Sequence, residues 1–174
     1  LQGRGAAAPK SVKNYFAAIT GIDEQFGRIL QALDDEGLTE NTIVVFTSDH
    51  GEMMGSQGLM HKDVWYDESL LMPFIVRWPA AIRPWRDDLL LSVPDILPTL
   101  LGLMGLGEAV PGDVQGTDYS GALLGRDVER PTSALYLNCD HSDPAGGLRG
   151  LRTHRYSLVV DRSGEGERTL LYDN

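Results

Sequence analysis

Asp49, His50 and Glu52 follow directly on an apolar, β-branched run, and His61 and Lys62 come a little further along the same polar stretch. A carboxylate beside an imidazole suits a divalent cation, whereas the carboxylate alone would suit calcium or magnesium. Gly51 between them allows close backbone approach or a positive φ. Two ligands do not complete a site, and nothing else in the sequence has ligand spacing. The same residues also describe a polar turn at a strand end, with Asp49 bonding a backbone N–H. Glu52 reads as a solvated loop acid or a helix-start charge. Lys62, among apolar and aromatic neighbours, offers a compact positive charge to an anionic oxygen; its other reading is a surface lysine lying over Trp65. His61 admits three roles: ligand, general acid or surface histidine. His141 lies in a polar, turn-like stretch beside Cys139, which has no adjacent base and reads as a structural thiol.

The elements that must position these residues follow from periodicity. From Ser11 to Glu36 the apolar residues recur at steps of three and four, which predicts a long amphipathic helix with Ser11 as N-cap and Gly37 as C-cap. A turn at Thr39–Asn41 leads to Thr42–Thr47, an apolar run without alternation, expected to be a central strand covered on both faces. The loop Ser48–Tyr66 leaves the C-terminal end of that strand, where ligands sit in open α/β sheets. Its length marks it as functional or disordered. Pro73–Trp78 reads as a second buried strand, Val93–Met104 as a helix capped by Ser92 with Asp95 in its first turn, and Tyr119–Leu124 as a short helix. Beyond Ser133, short strands alternate with turns, His154 lying in one of them, which predicts a small antiparallel sheet. The fold class expected is α/β: a partial sandwich domain over residues 1–130 and a strand-rich C-terminal subdomain over 131–174.

The 174 residues carry 25 acids and 15 bases, a formal charge of −10. That balance argues against a nucleic-acid partner, whose phosphates call for clustered Lys and Arg. It also means that an anionic substrate needs local positive charge. No apolar run approaches the 20 or so residues of a membrane span, and the single cysteine excludes an internal disulfide. Leu1 in place of Met, and a strand-like run broken off at Asn174, lead us to expect a portion of a longer chain.

In order, Tyr15–Asp23, Asn41–Glu52, Gly58–Lys62, Trp65–Ser69, Pro73–Pro79, Pro94–Leu101 and Arg149–Thr153 resemble the second half of type I sulfatases, in the alkaline-phosphatase superfamily. The resemblance runs from about Tyr15 to the end, and its specificity lies in the combination. It implies an alkaline-phosphatase-like sandwich with a central mixed sheet, part of which is in this chain. It implies that Asp49 and His50 are the late pair of metal ligands, with Ca²⁺ the usual metal, and that Lys62 contacts the sulfate and the nucleophile. The family's nucleophile is a formylglycine made in a Cys/Ser-x-Pro/Ala-x-Arg motif; that motif and the early Asp-Asp ligand pair are absent from this sequence. The activity implied is hydrolysis of a small-molecule or carbohydrate sulfate monoester. Rival readings are a phosphodiesterase or phosphonate monoester hydrolase of the same superfamily, which His50 favours and which would prefer Mn²⁺ or Zn²⁺, and a non-catalytic binding domain. Two residues depart from the family pattern: Gln57 stands where His is frequent and His61 where Gly is frequent, so His61 could take over a substrate contact. Substrate-selecting loops are expected around Pro79–Asp88 and Asn138–Leu148.

Overall fold

The computed structural model describes residues 9–164 and 166–174. The chain divides into two compact units, Leu1–Arg83 and Pro84–Asn174.

The first unit opens with helix α1, Pro9–Asp35. Described from Pro9 onward, the helix runs on without a break through Ser11. Ser11 therefore lies inside the helix and is not its N-cap. At the other end the chain turns at Gly37 with φ 66°, and the Leu38 N–H returns to the Leu33 carbonyl at 2.8 Å, as a glycine C-cap requires. A single 3₁₀ turn at Thr39–Asn41 leads into strand β1, Val44–Thr47. Helix α2 is one turn, Asp67–Leu70, and strand β2 is Phe74–Arg77. The two strands pair antiparallel, Val44 opposite Arg77 and Thr47 opposite Phe74. Phe26 of α1 meets Phe46 of β1 with ring centroids 5.0 Å apart, which joins helix and sheet.

Both strands were expected to be buried. They are half-buried instead: Thr47 is exposed and Ile75 is 57% exposed. A two-stranded ladder with one helix beside it has too few neighbours to cover both faces of an apolar strand.

In the second unit, helix α3 spans Val93–Leu103 and helix α4 spans Ser120–Leu123. Ser92 and Asp95 form a reciprocal capping box, and the second Asp95 oxygen accepts the Thr117 N–H at 2.8 Å. Asp95, expected only as a first-turn charge, is thus a buried cap. Thr99, fully buried, takes the Tyr119 N–H on its hydroxyl at 3.0 Å and ties α3 to the start of α4. Four antiparallel strands follow in sequence order: β3 Ala134–Asn138, β4 Gly147–Arg152, β5 Tyr156–Gly164 and β6 Gly166–Asp173. This is the predicted C-terminal sheet, with His154 in the β4–β5 turn. Val159 of β5 is its fully buried centre.

Candidate functional site

The polar loop leaves β1 at Ser48 and is held in place at three points. The Gly51 N–H donates to the Ser69 carbonyl at 2.9 Å, which docks the loop's first turn on α2. A Cβ on residue 51 would overlap the Glu68 carbonyl oxygen and stand 2.8 Å from its carbon, so only glycine permits this approach. The Met53 N–H donates to the His61 carbonyl at 2.7 Å, folding the loop back on itself, and the Met53 side chain is 1% exposed. The Glu52 carboxylate accepts the Met54 N–H at 3.2 Å and the His61 N–H at 2.6 Å through the same oxygen. Glu52 is half-buried and organises the loop, which corrects its reading as a solvated acid. The loop is therefore ordered by its own hydrogen bonds. Among the described residues, the non-glycine positions with positive φ are Met54, Gln57, His61 and Asp63, all within this loop. Side-chain-bearing residues avoid that region, and runs of such residues cluster where structure is held for function.

Asp49 and His50 sit at the head of the loop. The Asp49 side chain is 85% exposed, and one of its oxygens lies 3.3 Å from His50 Nε2. Its other oxygen accepts the His50 N–H at 3.0 Å. His50 Nδ1 lies 2.7 Å from the Gly51 carbonyl, so a neutral imidazole carries its proton on Nδ1 and presents the Nε2 lone pair beside the carboxylate. A carboxylate oxygen and an imidazole nitrogen are thus brought together, and a backbone carbonyl on the other ring nitrogen is the usual outer contact of a ligating histidine. The pair fits a divalent cation as a partial ligand set. Among the described residues no group of three or more His, Cys, Asp or Glu gathers to complete one.

Lys62 is half-buried, one residue past the point where the loop returns to Met53. His61 and Asp63, at φ 69° and 70°, flank it. The His61 imidazole is exposed, and Gln57, at φ 54°, is also exposed. Both departures from the family pattern thus stand where the backbone favours glycine. His141 is fully exposed beside Asp140, and Cys139 is a half-buried free thiol.

Because β2 runs antiparallel to β1, Arg77 ends beside Val44, at the opposite end of the ladder from Asp49. Trp78 accordingly donates its indole N–H to the Glu40 carbonyl, in the turn before β1, at 3.1 Å. The stretch beginning at Pro79 therefore starts from the end of the ladder opposite Asp49. Within the second unit an open cavity of about 720 Å³ is lined by Trp85, Arg86, Asp87, Asp88 and Arg130.

Two family models cover the chain: "Sulfatase" over residues 2–106 and "N-sulphoglucosamine sulphohydrolase, C-terminal" over residues 55–174. An endo-4-O-sulfatase of Bacteroides thetaiotaomicron is 45% identical over 95% of this chain and 35% of its own length. Among solved structures, a 4S-sulfatase described with the metabolism of multiple glycosaminoglycans by Bacteroides thetaiotaomicron superposes with a TM-score of 0.84 at 43% identity. That match covers 94% of this chain and 37% of the other. The phosphonate monoester hydrolase of Agrobacterium radiobacter superposes with a TM-score of 0.78 at 30% identity, over 91% of this chain and 34% of its own. The mixed α/β unit and the four-stranded antiparallel sheet are those of sulfatase and alkaline-phosphatase-like folds, as expected. Spanning about a third of the length of the curated relatives it matches, the chain belongs to the sulfatase family.

Proposed function

We propose that the protein carrying this chain is a hydrolase of sulfate monoesters, with a sulfated carbohydrate as its substrate class. The observation that carries this reading is the ordered loop after β1. It places a carboxylate–imidazole pair at one end and a lysine without a hydrogen bond or ion pair among the described residues at the other. Membership of the sulfatase family and the names of its carbohydrate-linked relatives support the substrate class.

On this reading Asp49 and His50 contribute two ligands to a divalent cation, Ca²⁺ in the first instance, the remaining ligands lying outside this chain. The bound cation would withdraw charge from the sulfate oxygens and stabilise the attacking oxygen of an upstream formylglycine. The Gly51 carbonyl keeps the His50 proton on Nδ1, so Nε2 stays available as a ligand. Lys62 sets its ammonium against the sulfate oxygens and offsets the negative charge that grows there as the ester S–O bond breaks. His61 adds an exposed imidazole next to that lysine in sequence.

His50 and the phosphonate monoester hydrolase neighbour favour a second reading, hydrolysis of a phosphonate or phosphate ester with Mn²⁺ or Zn²⁺. Rates on a carbohydrate sulfate monoester and on a phosphonate monoester separate the two, measured with the full-length protein after chelation and resupply of Ca²⁺, Mn²⁺ or Zn²⁺. The proposal expects faster sulfate release, best with Ca²⁺. Faster phosphonate hydrolysis with Mn²⁺ or Zn²⁺ establishes the second reading, and no turnover of either ester leaves a binding domain. Peptide mass spectrometry of the full-length protein tests the formylglycine separately.

A further inference from the structure

Glu52 stands out from the rest of the loop because it is half-buried and spends one carboxylate oxygen on two backbone N–H groups. One of those groups is local, on Met54. The other is nine residues away, on His61, and at 2.6 Å it is the shorter bond. The His61 carbonyl accepts the Met53 N–H at 2.7 Å, and Met53 is anchored by near-complete burial. Both peptide groups of His61 are therefore held by the pair Glu52–Met53. The next residue is Lys62, and the backbone on either side of it lies in the left-handed region. A side-chain-bearing residue does not hold that conformation unaided; surrounding bonds must impose it.

We infer that Glu52 is a positioning residue for Lys62: by clamping the His61 peptide it imposes the left-handed turn that fixes where the lysine ammonium points. Glu52 itself does not touch the sulfate. The inference rests on the role proposed for Lys62, and the test separates the two. In the full-length enzyme, kcat and KM for a sulfate monoester are compared in wild type, Glu52→Ala, Glu52→Gln, Lys62→Ala and the double variant Glu52→Ala/Lys62→Ala. Losing the clamp misplaces the ammonium, which should lower kcat by about 10- to 100-fold with KM changed by less than about 3-fold. Glu52→Gln keeps an oxygen acceptor for the His61 N–H and should recover to within about 5-fold of wild type. In the Lys62→Ala background the further loss on Glu52→Ala should be under about 3-fold, because there is no ammonium left to position. Wild-type turnover in Lys62→Ala would sink the reading of Lys62, and this inference with it. A slow Lys62→Ala enzyme combined with wild-type kcat in Glu52→Ala, or with losses that multiply in the double variant, would sink this inference alone. Should Glu52→Ala fail to fold, Glu52→Asp, which keeps the charge but retracts it by one methylene, carries the same comparisons.

Discussion

Replacing Gly51 by alanine adds one methyl group between the candidate metal ligands and helix α2. Built on the existing backbone, that methyl carbon overlaps the Glu68 carbonyl oxygen and lies 2.8 Å from the Glu68 carbonyl carbon and 3.2 Å from the Ser69 carbonyl carbon. Ordinary carbon contacts begin near 3.5 Å, so the loop and α2 must part by roughly 1 Å. All the close atoms are backbone, and no rotamer change can relieve the overlap. The separation stretches the 2.9 Å bond from the Gly51 N–H to the Ser69 carbonyl and moves the Gly51 carbonyl that fixes His50 Nδ1. Overpacking of this kind costs about 1–3 kcal/mol, and a 1 Å displacement of a catalytic group costs on the order of 10²-fold in rate. Gly51→Ala in the full-length enzyme should therefore lower sulfate-ester turnover about 100-fold while lowering the melting temperature by a few degrees. Gly27→Ala is the control: its new methyl group meets nothing within 4 Å on helix α1, and it should match or exceed wild-type stability. Wild-type turnover in Gly51→Ala would refute the claim that this contact sets the site.

Two further predictions concern other parts of the chain. At residue 61, with φ 69°, glycine should give a protein about 1 kcal/mol more stable than alanine does, read as a higher melting temperature; the reverse order would contradict the left-handed backbone beside Lys62. In the C-terminal sheet, Asp161 is 8% exposed and accepts from Ser163 Oγ at 2.6 Å, the Ser163 N–H at 3.0 Å and the Arg168 guanidinium at 2.6 Å. The Ser163 bonds foremost, and Arg168 with them, hold its carboxyl below the usual 3.8. A lowered folded pKa gives stability that is present above the unfolded value and lost as pH falls through the folded one. Asp161→Asn should thus cost about 2 kcal/mol at pH 7, with the gap in melting temperature narrowing below about pH 4. A gap that widens in acid would contradict the assignment.

Periodic elements and the C-terminal antiparallel sheet carried over from sequence to structure, while which backbone groups and faces meet across the fold did not. The three-four spacing of Tyr15, Ile19, Ile22, Phe26 and Ile29 is written into one helix, and Ser92 with Asp95 spells a capping box within four residues. Asp49 and His50 are neighbours in sequence, so their proximity needs no tertiary information. Glu52 was misread because its decisive partner is the N–H of a residue nine positions away, and side-chain type says nothing about which backbone group a carboxylate will reach. That β2 runs antiparallel to β1, and so starts the Pro79 stretch at the far end of the ladder, is likewise something an apolar run does not encode. The half-exposed strands have the same origin: composition reports that a strand is apolar, not which elements lie against it.

The central claim is that Lys62 works on a sulfate ester from the loop that carries Asp49 and His50. Single-turnover kinetics of Lys62→Ala in the full-length enzyme, with a sulfate monoester as substrate and circular dichroism to verify the fold, tests it most directly. The account predicts a rate lower by about 10²- to 10³-fold with the fold unchanged. A rate within about 3-fold of wild type would contradict it.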